Sequence, residues 1–285
     1  MIAFAKRNLK LYLRDRGAVF FSLLSVLIVF GLYVLFLGDV YQADLGEIEG
    51  AAEIMNNWVM AGVLSITSLS TTLGMLQNVV SDKDKKVERD FYVAPIKRVK
   101  LAGGYVLSAY VVGLVMTLLA FLLAEIYIVS EGGNAVSMER LPQMLLLIAL
   151  TVFMNTSISL FLASLFKSVS AYGTVQIILG TLVGFLTGIY LPIGMLVKSV
   201  QWVIKIFPVS HAALLFRNLM MQPSMDVAFE GAPAELITEI KEQLGVIYFA
   251  GESELALWVS VLYMAVCAIL FFALASIRLS GKRAK

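Results

Sequence analysis

The residue types that most often carry covalent chemistry are scarce in this chain. His211 is the single histidine and Cys267 the single cysteine among 285 residues. A structural or catalytic zinc centre draws three or four such ligands together, so a multi-histidine or cysteine-rich metal site is excluded. One cysteine forms no intrachain disulfide. The sequence holds no G-x-S-x-G turn to present a nucleophilic serine. It also holds no G-x-x-x-x-G-K-[ST] loop to cradle the phosphates of a nucleotide, so ATP hydrolysis is not expected of this chain. His211 follows Pro208 in an apolar stretch and reads as structural rather than catalytic.

The remaining polar groups suit recognition or packing. Ser65, Ser68 and Thr72 share one face of an apolar run, and Asn155 leads Thr156, Ser157 and Ser159 in another. Such hydroxyls either bond to carbonyls of their own helix or line a polar path. Asn155 is the costlier group to leave in lipid and is expected to face protein or a cavity. Glu125 sits near the end of a third run, where it snorkels, pairs or stays protonated. Gly180, Gly184 and Gly188 recur at four-residue spacing, which strips one helix face and lets another helix approach closely.

The elements that carry these residues follow from hydropathy. Six apolar runs occupy residues 20–37, 58–80, 101–129, 144–166, 171–191 and 255–277. Crossing ~30 Å of hydrocarbon takes about 20 helical residues. None of the runs alternates in the way a barrel strand must, so each reads as a helix. With 60% hydrophobic and 15% charged residues, the chain is expected to be an all-α polytopic membrane protein with six transmembrane helices. No repeat relates the two halves, and the inverted repeats of many secondary transporters are not supported. The first run reads as a retained signal anchor.

Charge sets the expected topology. Of 22 basic residues, all but Arg140, Lys198, Lys205, Arg217 and Lys241 fall on one side if the N-terminus is cytoplasmic. Both termini are therefore expected inside. Residues 1–16 place Ile2, Ala5, Leu9, Tyr12 and Leu13 at helical spacing, with Lys6, Lys10 and Arg14 on another face; this is the pattern of an amphipathic helix lying beside anionic lipid. The inner segment 81–100 is the most charged stretch, yet it contains Phe91, Tyr92 and Val93, on which something is expected to pack. The outer segment 192–254 begins apolar but broken, as re-entrant or interfacial helices would be, with a short amphipathic helix over 234–244. The deep spans are almost free of charge, which argues against an ion-driven pump.

Three stretches together resemble the permease subunit of an ABC-2 type ABC transporter. They are the basic N-terminal helix with Arg14-Asp15-Arg16, the segment from Lys85-Lys86-Val87 through Pro95 to Arg98, and the run from Tyr190-Leu191-Pro192 through Trp202, Pro208 and His211 to Arg217. The resemblance covers nearly the whole chain as a single transmembrane domain, residues 1–285. It implies a homodimer or heterodimer of permeases in a bacterial plasma membrane, each seated on a separate ATP-binding subunit that binds the ATP and magnesium. It also implies export, since such permeases mostly export drugs, lipids or lipid-linked glycans. Val87, Arg89, Asp90, Phe91, Tyr92, Val93 and Pro95 would form the coupling contact. Pro192, Trp202, Pro208, His211 and Arg217 would shape the outer re-entrant element. The pattern departs at Lys85-Lys86, where such permeases often carry glutamate and glycine. No nucleic-acid partner is expected. An ATP-independent carrier or channel, and a membrane protein that sequesters a ligand at its outer face, are the other functions compatible with the sequence.

Overall fold

The computed structural model describes residues 1–14, 17, 20, 31, 50–87, 98–251 and 253–280, with the side chains of 98, 99 and 280 excepted. The expected first span, 20–37, therefore lies outside the described residues except for positions 20 and 31. Helix α1 covers Ile2–Arg14, α2 Ala51–Asp84, α3 Arg98–Ser130, α4 Leu141–Leu165 and α5 Val169–Leu186. A 3-10 turn at Ile193–Met195 leads into α6, Lys198–Ile206, and α7, Pro208–Ala228. Then come α8, Ala234–Gln243, a two-residue hairpin of β1, Phe249–Ala250, and β2, Ser253–Glu254, and finally α9, Leu257–Ser280.

Five of these helices, α2, α3, α4, α5 and α9, are long and apolar enough to cross a membrane. The pair α6–α7 has the same character overall but turns through 90° between its halves. The described spans differ from the sequence expectation in their limits. Helix α2 has 34 residues, about 51 Å at 1.5 Å per residue, and so projects well beyond the hydrocarbon at its ends. Helix α5 stops at Leu186 rather than continuing to Leu191.

Helix α2 is the central column and packs on α3, α4, α5 and α7. Its most apolar window is 89% buried inside the protein, against 17% for α5 and 22% for α9. That burial explains why α2 is the span richest in serine and threonine. Most of its hydroxyls are buried, and those of Ser65, Thr67 and Thr72 bond to carbonyls of their own helix, so their polarity costs little. Association between helices in lipid rests on dispersion and close approach rather than on water exclusion. One such close approach is at Gly113 of α3. A Cβ there would lie 2.7 Å from Val152 of α4 and 3.0 Å from Thr72 of α2.

The glycine stripe of the fifth span works otherwise than its spacing suggests. Gly188 lies past the helix end with φ +69°, in the left-handed region that glycine enters at no steric cost. Gly184 is covered by the ring of Tyr190, which folds back from the chain's own exit turn. Among the described residues nothing approaches Gly180, which faces outward. Among the described residues the stripe receives no second helix, and the helix itself ends two residues before Gly188.

Gly113→Val is expected to destabilise the protein by about 1–3 kcal/mol through overpacking. Gly180→Val is expected to leave the thermal midpoint in detergent nearly unchanged. Equal losses for both would contradict the packing described.

Candidate functional site

Three consecutive side chains at the end of α2 reach four different elements. Successive helical residues are about 100° apart, so Asp82, Lys83 and Asp84 fan outward. The Asp82 carboxylate accepts both Arg7 Nη1 and Arg7 Nη2 at 2.8 Å, a bidentate pair with α1. It also accepts the Tyr105 hydroxyl of α3 at 2.6 Å. Arg7 donates further to Asn8 Oδ1 at 2.9 Å and lies 5.4 Å from the centre of the Phe4 ring. The Asp82 hydrogen bonds hold the Arg7 guanidinium above its usual range, against an opposing push from burial. Lys83 Nζ donates to the Ala163 and Ser164 carbonyls at 2.9 and 3.4 Å, placing a cation at the C-terminal end of α4, where the helix dipole favours it. Asp84 accepts the Val169 N–H at 3.1 Å, an anion at the first residue of α5. Arg278 of α9 adds a bond of 3.4 Å to the Ser164 carbonyl.

The chain leaves this knot through a turn. Lys85 and Lys86 donate back to Ser81 and Lys83 at 3.0 and 3.1 Å. Lys86 adopts φ +59°, the left-handed conformation that glycine favours. Val87 is half-buried. The other residues expected at the coupling contact, Arg89, Asp90, Phe91, Tyr92, Val93 and Pro95, lie outside the described residues.

The opposite end of the bundle is built around the elbow between α6 and α7. Proline disfavours helical geometry in the residue before it, and Phe207 accordingly sits at φ −76°, ψ 119°. Helix α6 must end there, while Pro208 fits the first position of α7. The carbonyls left over at the end of α6 are all taken by side chains. Ser210 donates to Ile204 at 2.5 Å and the Tyr263 hydroxyl to Ile206 at 2.5 Å. His211 Nε2 meets the Lys205 carbonyl at 2.8 Å, which requires the hydrogen on Nε2; Nδ1 then accepts from Ser260 of α9 at 3.0 Å. His211 is thus a structural pin, as its context implied. Pro192 is buried before the 3-10 turn, and Trp202 is 66% exposed on the far face of α6.

Helix α7 continues to Ala228 through Pro223, past the residue where the apolar stretch ends. A proline cannot donate to the carbonyl four residues back, here Leu219. Arg140 donates to that carbonyl instead, at 3.3 Å. Deeper in α7, Arg217 is fully buried. Its guanidinium stacks on Trp58 of α2 at 4.9 Å and donates through Nη2 to the Thr187 carbonyl at the end of α5, at 2.8 Å. Trp58 Nε1 in turn donates to the Leu244 carbonyl at 2.7 Å. Nε and Nη1 of Arg217 have no hydrogen-bond partner among the described residues.

The polar groups proposed as a path lining are instead a sealed seam. Ser65, Ser68, Thr72 and Asn155 are all fully buried. Ser65 and Thr72 bond to carbonyls of their own helix, Ala61 at 3.4 Å and Ser68 at 2.9 Å. Asn155 Nδ2 donates to Ser68 Oγ at 2.9 Å, and Thr72 meets Ser159 at 3.2 Å, joining α2 to α4. Asn155 does face protein, as its cost in lipid required. Glu125 pairs with backbone, accepting the Val136 N–H at 2.8 Å; beside it Glu53 accepts that of Asn134 at 3.1 Å, so two carboxylates hold the α3–α4 connection.

Sequence reasoning missed the roles of Arg7, Asp82, Tyr105 and Trp58. The available signal was Asp82, an acid at the end of an apolar helix with basic neighbours, but its partners stand 75 residues before and 23 after it.

A family model described as ABC-2 family transporter protein matches residues 46–277. No curated protein matches the chain.

Asp82→Asn leaves Arg7 without its carboxylate and is expected to cost about 2 kcal/mol, the scale of hydrogen bonds to charged groups, read as a lowered unfolding midpoint in detergent. Arg217→Ala is expected to cost about 3 kcal/mol or more by opening a cavity against Trp58. Arg217→Met keeps the bulk while removing a poorly satisfied charge, and is expected to recover most of that loss.

Proposed function

The chain belongs to the ABC-2 transporter family as a membrane-spanning permease that works with an ABC ATP-binding subunit, and from that premise we propose that it exports its substrate by alternating access. The observation that carries this reading is the knot at the end of α2. It lies directly upstream of the segment 87–95, which in this reading is the contact with the ATPase. A push delivered there reaches α2 through the turn at Lys85 and Lys86. It reaches α1, α3, α4 and α5 through Asp82, Lys83 and Asp84. At the far end, α2 meets the elbow through Trp58 and Arg217. The central column thus links the motor side to the outer gate in one rigid span.

The substrate path lies between two permeases rather than inside one. The polar residues of α2 and α4 are sealed by packing, whereas α5 exposes Ile177, Ile178, Leu182 and Phe185 beside Gly180. That face suits a second copy or a related permease across a central cleft. The concentration of lysine and arginine at the α1 end favours its placement in the cytoplasm of a cell membrane. ATP and magnesium are bound by the partner subunit. The cargo class is a drug, peptide, lipid or lipid-linked glycan.

Co-expression with the cognate ATPase tests the reading. Phe91→Glu combined with Tyr92→Glu is expected to abolish copurification of the two subunits and ATP-driven transport, while the permease still reaches the membrane. Undiminished copurification, or substrate flux in liposomes that contain the permease alone and an ion gradient, would overturn it.

A further inference from the structure

Helix α1 presents three distinct faces. Ala5, Asn8 and Tyr12 are buried, and the helix packs on α3. At about 100° per residue, Ile2, Leu9 and Leu13 cluster within roughly 40° of one another on a second face. Ile2 and Leu13 are 74% and 66% exposed. Lys6, Lys10 and Arg14 follow on the adjoining face, exposed and without an ion-pair partner among the described residues. Between the basic residues runs an open groove of about 360 Å³, walled by Ala3, Lys6, Arg7, Lys10, Leu11 and Arg14. One of its walls, Arg7, is the residue bolted to Asp82.

We propose that this groove is a binding site for an anionic phospholipid, with the headgroup phosphate among Lys6, Lys10 and Arg14 and the acyl chains along Ile2 and Leu13. Charge complementarity requires an anion. The exposed aliphatic ridge beside the groove requires that the anion carry hydrocarbon, which a free phosphate does not. The groove is large enough for one headgroup. A lipid seated there lies one side chain away from the Asp82 knot, on the element that α2 holds to the bundle.

The test uses the full-length permease alone, so its result is independent of any ATPase pairing. The purified protein is equilibrated with mixed micelles of phosphatidylglycerol and phosphatidylcholine, and retained lipid is counted by native mass spectrometry. The parent is expected to retain phosphatidylglycerol selectively. Lys6→Gln, Lys10→Gln and Arg14→Gln together are expected to lower that retention by about tenfold or more, given the contribution of each basic residue near an anionic surface. A control with Lys85→Gln, Lys100→Gln and Lys167→Gln removes the same charge from other exposed positions and is expected to retain the lipid. Ile2→Ser with Leu13→Ser keeps the charge and is expected to weaken retention. Equal losses in the two triple variants would reduce the effect to diffuse electrostatics and overturn the site. Displacement by inorganic phosphate would show that a free anion is the ligand, and an absence of preference for phosphatidylglycerol would show that no site exists.

Discussion

A helix that ends among apolar neighbours leaves up to four carbonyls with no donor, and in a membrane water is not at hand to supply one. Much of the polar architecture of this protein answers that constraint. The end of α6 is closed by Ser210, His211 and Tyr263. The end of α4 is closed by Lys83, with Arg278 beside it. The end of α5 receives Arg217, and the carbonyl that Pro223 leaves unused receives Arg140. In each case the donor comes from another helix or, for Arg140, from the turn that leads into one, so satisfying the backbone also fastens the bundle. The one histidine and several of the isolated cations have a structural reason of this kind.

The same economy makes α2 both the core and the connector. It is buried on nearly all sides, which permits its serines and threonines to pair inward with Asn155 and Ser159. At one end its charged tip meets α1, α3, α4 and α5, and at the other its tryptophan backs the buried Arg217. A permease that converts a push at one face into an opening at the other needs such a stiff element. Fastened at both ends, α2 resists sliding against its neighbours.

Much of this was legible from residue order. The described spans were visible because twenty apolar residues in a row have few other fates, and the helix over Ala234–Gln243 was visible in its periodicity. The break before Pro208 follows from a local steric rule, and so does the structural reading of His211. The glycine spacing in the fifth span misled, because periodicity says which residues would share a face only if the helix continues. It ends at Leu186, where Gly188 turns the chain and Tyr190 folds back over Gly184. The hydroxyls of α2 left two readings open, because a polar face reads identically whether it meets a pore, its own helix or another polar face; Ser65 and Thr72 bond to carbonyls of their own helix.

The sequence by itself determined that this is a helical membrane protein with a basic side, an amphipathic entry helix and no ATP-hydrolysing motif, since hydropathy, charge bias and motif spacing are properties of neighbouring residues. Only the tertiary structure decided that Arg7 meets Asp82, that Arg217 lies on Trp58, and that Ser68 faces Asn155. Those pairs join residues 75, 159 and 87 positions apart. Hydrogen bonds and ring contacts reach only a few ångströms, so which of many distant polar groups come within that reach is set by how the helices pack, and one-dimensional order does not contain it.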